Sequence, residues 1–406
     1  MTYDEALEYI HSAPKFSKEL GNRALKIILE RLGNPENDLK FIHIAGTNGK
    51  GSTAAMTESI FRRAGYKTGL FTSPFIERFN ERIRFCGDEI DDLHLADFTE
   101  RVVRCMEEND TYLSEFAIIF VISLLYFKDK NCDIVILEAG LGGRLDATNA
   151  INKAEIEIIT KIGLDHMQYL GNTKESIALE KCGIIKENSV VVTNSEQDGG
   201  VMEVIRRCCD EKNARLLIAE NPDFLHAVPS LGGDFQKYNA AVAECSARAL
   251  GIGEDIIKYG IEHTFWPGRF EWITERILLD GCHNADGAAA FSKSAQKINK
   301  SMTIVTCAME DKDTLSIAHE LSEVTDSVVV TKLDMPRAAA CEKYADDFKN
   351  CGVTAKIIEN PYEAIKYALS KSDVCAVCGS LYLIGEVRGK INSFKRKELG
   401  ADAVCR

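Results

Sequence analysis

The sequence predicts an α/β protein. A P-loop-containing, doubly wound, mostly parallel sheet comes first, and a smaller α/β domain follows it. Three observations predict this. Short β-branched runs alternate with helical patterns along most of the chain, which is the signature of βαβ units. Several of those runs end in a polar or Gly-rich turn, as strands do at the ligand-bearing edge of an open sheet. The 406 residues are also too many for one core of ordinary size. Two domains are therefore expected, 1–265 and 266–406.

The first elements, over residues 2–32, read as two helices on either side of Ser12-Ala-Pro-Lys-Phe16. The second begins near Asn22, repeats apolar positions at Leu25, Ile27, Ile28 and Leu32, and stops at Gly33-Asn34-Pro35. Phe41, Ile42 and Ile44 form a buried strand that ends at Gly46-Thr47-Asn48-Gly49-Lys50-Gly51-Ser52, and a helix follows from about Thr53. Strand, glycine turn, lysine, hydroxyl and helix together make a phosphate-binding layout. Backbone N–H groups close on phosphate oxygens, the helix N-terminus adds positive potential, and Lys50 adds a charge. The general pattern wants glycine at Ile44 and a hydroxyl directly after the lysine, where Gly51 stands. Taken alone, the loop leaves an ordinary Gly-rich turn open.

Lys67–Phe71 is a second strand leading into Thr72-Ser73-Pro74. The charged stretch Glu77–Arg84 reads equally as a solvated loop or as one facing substrate. Asp133–Leu137 is a β-branched run ending in Glu138, and Ala139-Gly140-Leu141-Gly142-Gly143 then turns sharply. A carboxylate at a strand tip beside a phosphate loop suits Mg²⁺, which takes one or two carboxylates plus phosphates. Ile156–Thr160 is a further strand, followed by Asp165-His166. Three strand ends thus send polar groups to one rim. Lys181, among apolar neighbours near a helix end, reads from its own surroundings as a snorkelling lysine. Val190–Asn194 is a strand, and a helix runs from Phe235 through Ala249. Trp266-Pro267-Gly268-Arg269 interrupts the pattern. Ile277–Leu279 then leads into Asp280-Gly-Cys-His283-Asn284, and strands recur at 303–307, 327–331, 354–358 and 374–379. This is a second domain of roughly 130 residues.

Composition narrows the function. The 49 basic and 62 acidic residues give a net charge of −13, which argues against a broad nucleic-acid or membrane-surface footprint. The N-terminus lacks a basic region followed by an apolar core, so no signal peptide is expected. The most apolar stretch, Phe116–Phe127, spans about 12 residues and is too short for a bilayer. The fourteen cysteines are scattered, and Cys375-Ala-Val-Cys378 has no second pair near it, so buried reduced thiols and a cytoplasmic location are expected.

The motifs in order are His43–Ser52, Thr72-Ser-Pro74, Glu138–Asn149, Leu164-Asp-His166, Glu180-Lys-Cys-Gly-Ile184, Trp266–Glu271, Asp280–Asn284, Asp311-Lys-Asp313 and Gly379–Gly385. In them the chain resembles the folylpolyglutamate synthase/dihydrofolate synthase family, a branch of the Mur-ligase superfamily, over nearly its whole length. The resemblance implies an ATP-dependent ligase. Such an enzyme activates a pteroyl carboxylate as an acyl phosphate and joins it to L-glutamate, releasing ADP and phosphate.

The resemblance also implies roles for individual residues. Gly46, Thr47, Asn48, Gly49, Lys50, Gly51 and Ser52 would cradle ATP phosphates, with Asn239, Arg269 and Asp280 as further ATP contacts. Ser73, Glu138 and His166 would hold Mg²⁺, of which two ions are expected. Lys181 matches a lysine that is carbamylated in the family, which reverses its snorkelling reading, and the catalytic set is Lys50, Lys181 and His283. Ser114, Phe116, Asp146 and Thr148 fall on the acceptor side. There the chain departs from the family, with Phe75 where His is common and Ala117 where Glu is common. Arg144–Asn149 is similar to the version in bacterial enzymes that also make dihydrofolate. The expected partners are small molecules only, with no nucleic acid or membrane, and the protein is expected to be a monomer. The same ligase chemistry on a non-folate carboxylate, or a nucleotide-binding regulator without catalysis, are the alternatives.

Overall fold

The computed structural model describes residues 1–15 and 22–398. Phe16, at the expected break between the first two helices, lies outside the described residues. Helix α1 (Tyr3–Ser12) opens on a capping box, with the Thr2 side chain accepting from the Glu5 amide and the Glu5 carboxylate accepting from the Thr2 amide. Helix α2 (Arg23–Arg31) turns Leu25, Ile28 and Leu29 inward.

The first sheet has eight strands: β1 (Phe41–Ala45), β2 (Thr68–Phe71), β3 (Ile83–Phe85), β4 (Asp88–Glu89), β5 (Ile134–Glu138), β6 (Ile156–Ile159), β7 (Val190–Thr193) and β8 (Arg215–Ile218). Their spatial order is β4-β3-β2-β5-β1-β6-β7-β8, parallel except for the β2-β3-β4 meander. Strands β1, β2, β5 and β6 are buried throughout, as their continuous apolar runs require of a sheet covered on both faces.

Helices α3 (Lys50–Arg63), α4 (Asp92–Glu108), α5 (Glu115–Asp129), α6 (Met167–Leu170), α7 (Lys174–Cys182) and α8 (Gly199–Glu211) connect and cover the strands. Helix α5 is apolar nearly all round and is the buried layer over one face. On the other face α3 packs against α9 (Gln236–Ala249) and α10 (Glu254–Glu262), so the chain beyond β8 returns to the first core.

The second sheet orders β13-β12-β11-β14-β10-β9, from β9 (Glu271–Thr274), β10 (Ile277–Leu279), β11 (Met302–Thr306), β12 (Ser327–Val330), β13 (Thr354–Ile357) and β14 (Val374–Cys378). It is parallel apart from β9. Helices α11 (Ala285–Ala295), α12 (Thr314–Ser322), α13 (Cys341–Asn350), α14 (Pro361–Lys371) and α15 (Leu381–Glu398) flank it.

The change of core is finer than a cut before Trp266. Trp266 packs into the first core and Phe270 into the second, so the crossing lies in Pro267–Arg269.

One segment differs from its sequence reading, and one strand has no counterpart in it. Glu77–Arg84 holds a 3₁₀ turn (Phe79–Arg82) and the start of β3, rather than an irregular loop. β8 is an edge strand whose partly exposed residues carry little apolar alternation. Every described cysteine is free, and no helix of the described residues is long and apolar enough to cross a membrane.

Candidate active site

The C-terminal ends of β1, β2, β5, β6 and β7 face the second domain across a cleft of about 460 Å³. Gly46 to Ser52, Ser73, Glu138, His166, Lys181, Asn239, Arg269, Asp280 and His283 all line it. The β1–α3 turn depends on two glycines. Gly49 has φ +90°, and a Cβ there would lie 2.2 Å from Asn239 Oδ1, so the loop closes directly on α9. A Cβ on Gly51 would lie 3.0 Å from Trp266 Nε1. The glycine that breaks the general phosphate-loop pattern is therefore where the indole from the domain crossing rests. Ser52 Oγ accepts from the Gln236 amide at 3.2 Å, and Gln236 in turn accepts from Asn239 at 2.9 Å.

Glu138 ends β5 buried, and the Ser73 amide donates to its Oε2 at 3.2 Å. Burial raises its carboxyl above the usual range, and Lys50 only partly offsets this. His166 sits at φ +50° beyond β6. Burial pushes it down to about 4, so the ring is neutral and has a lone pair to offer. A desolvated carboxylate, a hydroxyl and a neutral imidazole on one rim fit a divalent cation beside phosphates.

Lys181 is not a snorkelling lysine. It is 5% exposed, and its Nζ donates to the Gly46 carbonyl at 2.8 Å. Burial, with the charge of Lys50, pulls its amine down to about 7.

The second domain supplies the opposite wall. Asp280 accepts from the Phe270 and Cys282 amides at 2.8 and 2.9 Å, which shapes the crossing segment around Arg269. His283 Nδ1 donates to the Gly281 carbonyl, leaving Nε2 3.6 Å from Asp165 Oδ2.

The acceptor-side residues are placed differently. Ser114 caps α5, and Phe116 packs on Phe71 and over Gly140. Asp146 and Thr148 do not reach the cleft lining. The buried Asp146 carboxylate accepts from the Leu141 and Thr148 amides and from the Thr148 hydroxyl, which also meets His43 Nε2 at 2.8 Å. Their polar atoms are spent on holding the Gly-rich turn.

The Mur ligase middle domain family matches residues 44–217, and the Mur ligase glutamate ligase domain matches 268–381. A dihydrofolate synthase/folylpolyglutamate synthase from Bacillus subtilis is 32% identical over 96% of this chain and 99% of its own length. The chain belongs to the dihydrofolate synthase/folylpolyglutamate synthase family. Among solved structures, Escherichia coli FolC in complex with DHPP and ADP has TM-score 0.88 and 29% identity, covering 98% of this chain and 99% of that one. Mycobacterium tuberculosis folylpolyglutamate synthase with ADP and AMPPCP has TM-score 0.87 and 27% identity, covering 96% and 98%. Like other members of this synthase family, the chain is an ATP-dependent ligase acting on small molecules.

Within this synthase the site contact least visible in sequence is that between Asp165 and Lys312. Lys312 Nζ reaches Asp165 Oδ1 at 2.5 Å, Asn284 donates to its Oδ2 at 3.1 Å, and Asn284 also exchanges hydrogen bonds with Asn48. Burial alone would raise the Asp165 carboxyl, but His283 and Lys312 hold it well below the usual carboxylate range. Both residues lie in the quoted motifs Leu164–His166 and Asp311–Asp313, and only the fold pairs them.

Proposed function

We propose that the protein joins L-glutamate to a pteroyl acid, converting dihydropteroate to dihydrofolate, folate to folylpolyglutamate, or both. The observation that carries this is a single cleft lined by a phosphate loop, a buried strand-end carboxylate, a desolvated lysine and a second-domain histidine.

The phosphate-loop amides and Lys50 hold the triphosphate, with Asn239, Arg269 and Asp280 as further ATP contacts. Glu138, Ser73 and His166 would hold Mg²⁺, which when bound would supply charge neutralisation at the phosphates. An acceptor carboxylate oxygen attacks the γ-phosphorus, and the bond to ADP breaks. The amine of L-glutamate then attacks the acyl carbon, inorganic phosphate leaves with the bonding pair, and the amine loses a proton. The contact of His283 and Lys312 with Asp165 closes the cleft, so the acyl phosphate meets the amine rather than water.

Lys181 is carbamylated in this reading. An amine near 7 is substantially neutral at physiological pH and can attack CO₂, and the resulting carboxylate would serve a second cation. The protein works as a monomer in the cytoplasm, with its domains divided near 265.

Phosphate release should require ATP, Mg²⁺, L-glutamate and a pteroyl acid together, and release without an amino acid would end the reading. The inward-turned Asp146 and Thr148, with Ala117 where the family carries Glu, favour one second reading: the same chemistry on another carboxylic acid. Ordinary turnover of dihydropteroate would exclude that.

A further inference from the structure

Arg82 stands one ladder step from Ser73, its carbonyl accepting from the Thr72 amide at 3.0 Å. Its guanidinium lies over Phe75 at 5.2 Å and Phe79 at 5.5 Å, and its Nε is buried with no hydrogen-bond partner. Among the described residues no carboxylate forms an ion pair with it, and the nearby acids are committed elsewhere. Glu81 accepts from the Ile76, Glu77 and Arg78 amides, Glu77 pairs with Arg388, and Glu115 pairs with His11. Burial draws its basicity down, against the fields of Glu115, Tyr382 and Glu138. A guanidinium beside two aromatic rings, half-buried and without a counter-charge, is arranged for an anion that arrives with a ligand.

The anion's chemistry follows from the position. Arg82 lies beside Thr72–Ser73 through its backbone pairing, within the field of Glu138, and in the first domain. An acceptor whose carboxylate is being phosphorylated beside Glu138 would bring a neighbouring carboxylate, if it has one, toward Arg82. A folate-type acceptor ending in glutamate has one, because its α-carboxylate flanks the γ-carboxyl under activation. Dihydropteroate has none. We propose that Arg82 binds the α-carboxylate of a glutamate-terminated acceptor and so sets the preference for chain extension over the first glutamate addition. This rests on the pteroyl-ligase reading.

The test compares tetrahydrofolate with its α-carboxamide, using wild type, Arg82→Met and Arg82→Lys, with dihydropteroate as a third acceptor and ATP affinity as a check on folding. Wild type should show at least a tenfold higher KM for the α-carboxamide than for tetrahydrofolate. Arg82→Met should erase that gap by raising the tetrahydrofolate KM, and Arg82→Lys should restore part of it. An unchanged gap in Arg82→Met, or a KM for L-glutamate that rises equally with every acceptor, overturns the proposal. A wild type that extends dihydropteroate but not tetrahydrofolate also overturns it and leaves the ligase reading standing. A wild type inert on both brings down the reading itself.

Discussion

The amine of Lys181 donates a 2.8 Å hydrogen bond to the carbonyl of Gly46, the first glycine of the phosphate loop. The contact ties α7 to the nucleotide site and keeps a desolvated amine, pulled down to about 7, at its floor. Lys181→Ala should keep the fold and lose turnover by roughly 10²–10³-fold, the scale of removing one preorganised electrostatic partner. Short carboxylic acids should rescue part of it, and ¹³C-bicarbonate should give a carbamate signal in wild type alone. The sign with pH is set by the depressed amine. Between about 7 and the free-lysine value the unfolded chain binds the extra proton, so unmodified enzyme gains stability as pH rises through that window. Carbamylation and activity should both fail as pH drops below about 7.

Glu138 is buried with Ser73 N–H as its hydrogen-bond donor and no ion pair among the described residues. Removing its charge relieves a desolvation cost in the metal-free protein and, in the proposed Mg²⁺ site, takes away one ligand. Glu138→Gln should therefore melt at or above the wild-type temperature without Mg²⁺, yet lose the further rise that Mg²⁺ with ATP confers. Thermal melts with and without EDTA separate the two effects. A variant still stabilised fully by Mg²⁺-ATP would exclude Glu138 from the metal site.

The ion pair between Lys312 and Asp165 is buried on both sides, each side chain under one tenth exposed, and joins the two domains. Removing one partner strands a buried charge, which costs about 3–5 kcal/mol where the site cannot relax. Lys312→Met should destabilise strongly, and adding Asp165→Asn should recover part of the loss. Denaturant melts of the four proteins in the cycle measure the coupling, and strictly additive losses would mean that the pair does not act as a unit.

The rim was readable because each member ends a β-branched run: Ser73 after β2, Glu138 at the tip of β5, His166 after β6. The pairing of Asp165 with Lys312 was not, since partners 147 positions apart leave no local pattern. Asp146 and Thr148 come from the family resemblance rather than from a local pattern, and their hydrogen bonds close on the Gly-rich turn itself. The β3–β4 hairpin was hidden because Ile83-Arg84-Phe85 is too short an alternating run to stand out among its charged neighbours. Glu81 satisfies three backbone amides there, a role no composition reveals.

Gly51 is the position where pattern and structure meet. With Trp266 Nε1 3.0 Å from the place of a Cβ, Gly51→Ala must push the indole or the loop by a few tenths of an ångström. Overpacking of this kind costs about 1–3 kcal/mol. ATP affinity should fall with stability, because the displaced segment carries both phosphate-loop amides and the domain crossing. The double variant Gly51→Ala/Trp266→Phe should recover much of the loss, and isothermal titration with ATP reads it directly. No recovery would place the strain elsewhere.

His43 of β1 and Glu157 of β6 are register partners, fully buried on the same face of the sheet. His43 Nδ1 and both Glu157 oxygens lack hydrogen-bond partners. Burial pushes the histidine down to about 3 and the carboxyl up to about 7, so both are uncharged in the folded protein near pH 6. Their linkages have opposite signs. For His43 the unfolded chain binds the extra proton between about 3 and 6.5, so its contribution is present above that window and lost as pH falls. For Glu157 the folded chain holds the extra proton between about 4.3 and 7, so its contribution is present below that window and lost as pH rises. The Glu157 contribution taken alone falls by on the order of 3 kcal/mol from pH 5 to pH 8, while the contributions of His43 and Lys181 rise over parts of the same range and oppose it. Glu157→Gln, neutral at every pH, should therefore gain stability relative to wild type from pH 5 to pH 8 while leaving the acid limb of His43 in place. Urea denaturation at pH 4, 5, 7 and 8 resolves both limbs. A variant with the wild-type slope between 5 and 8 would show that Glu157 ionises in the fold without cost.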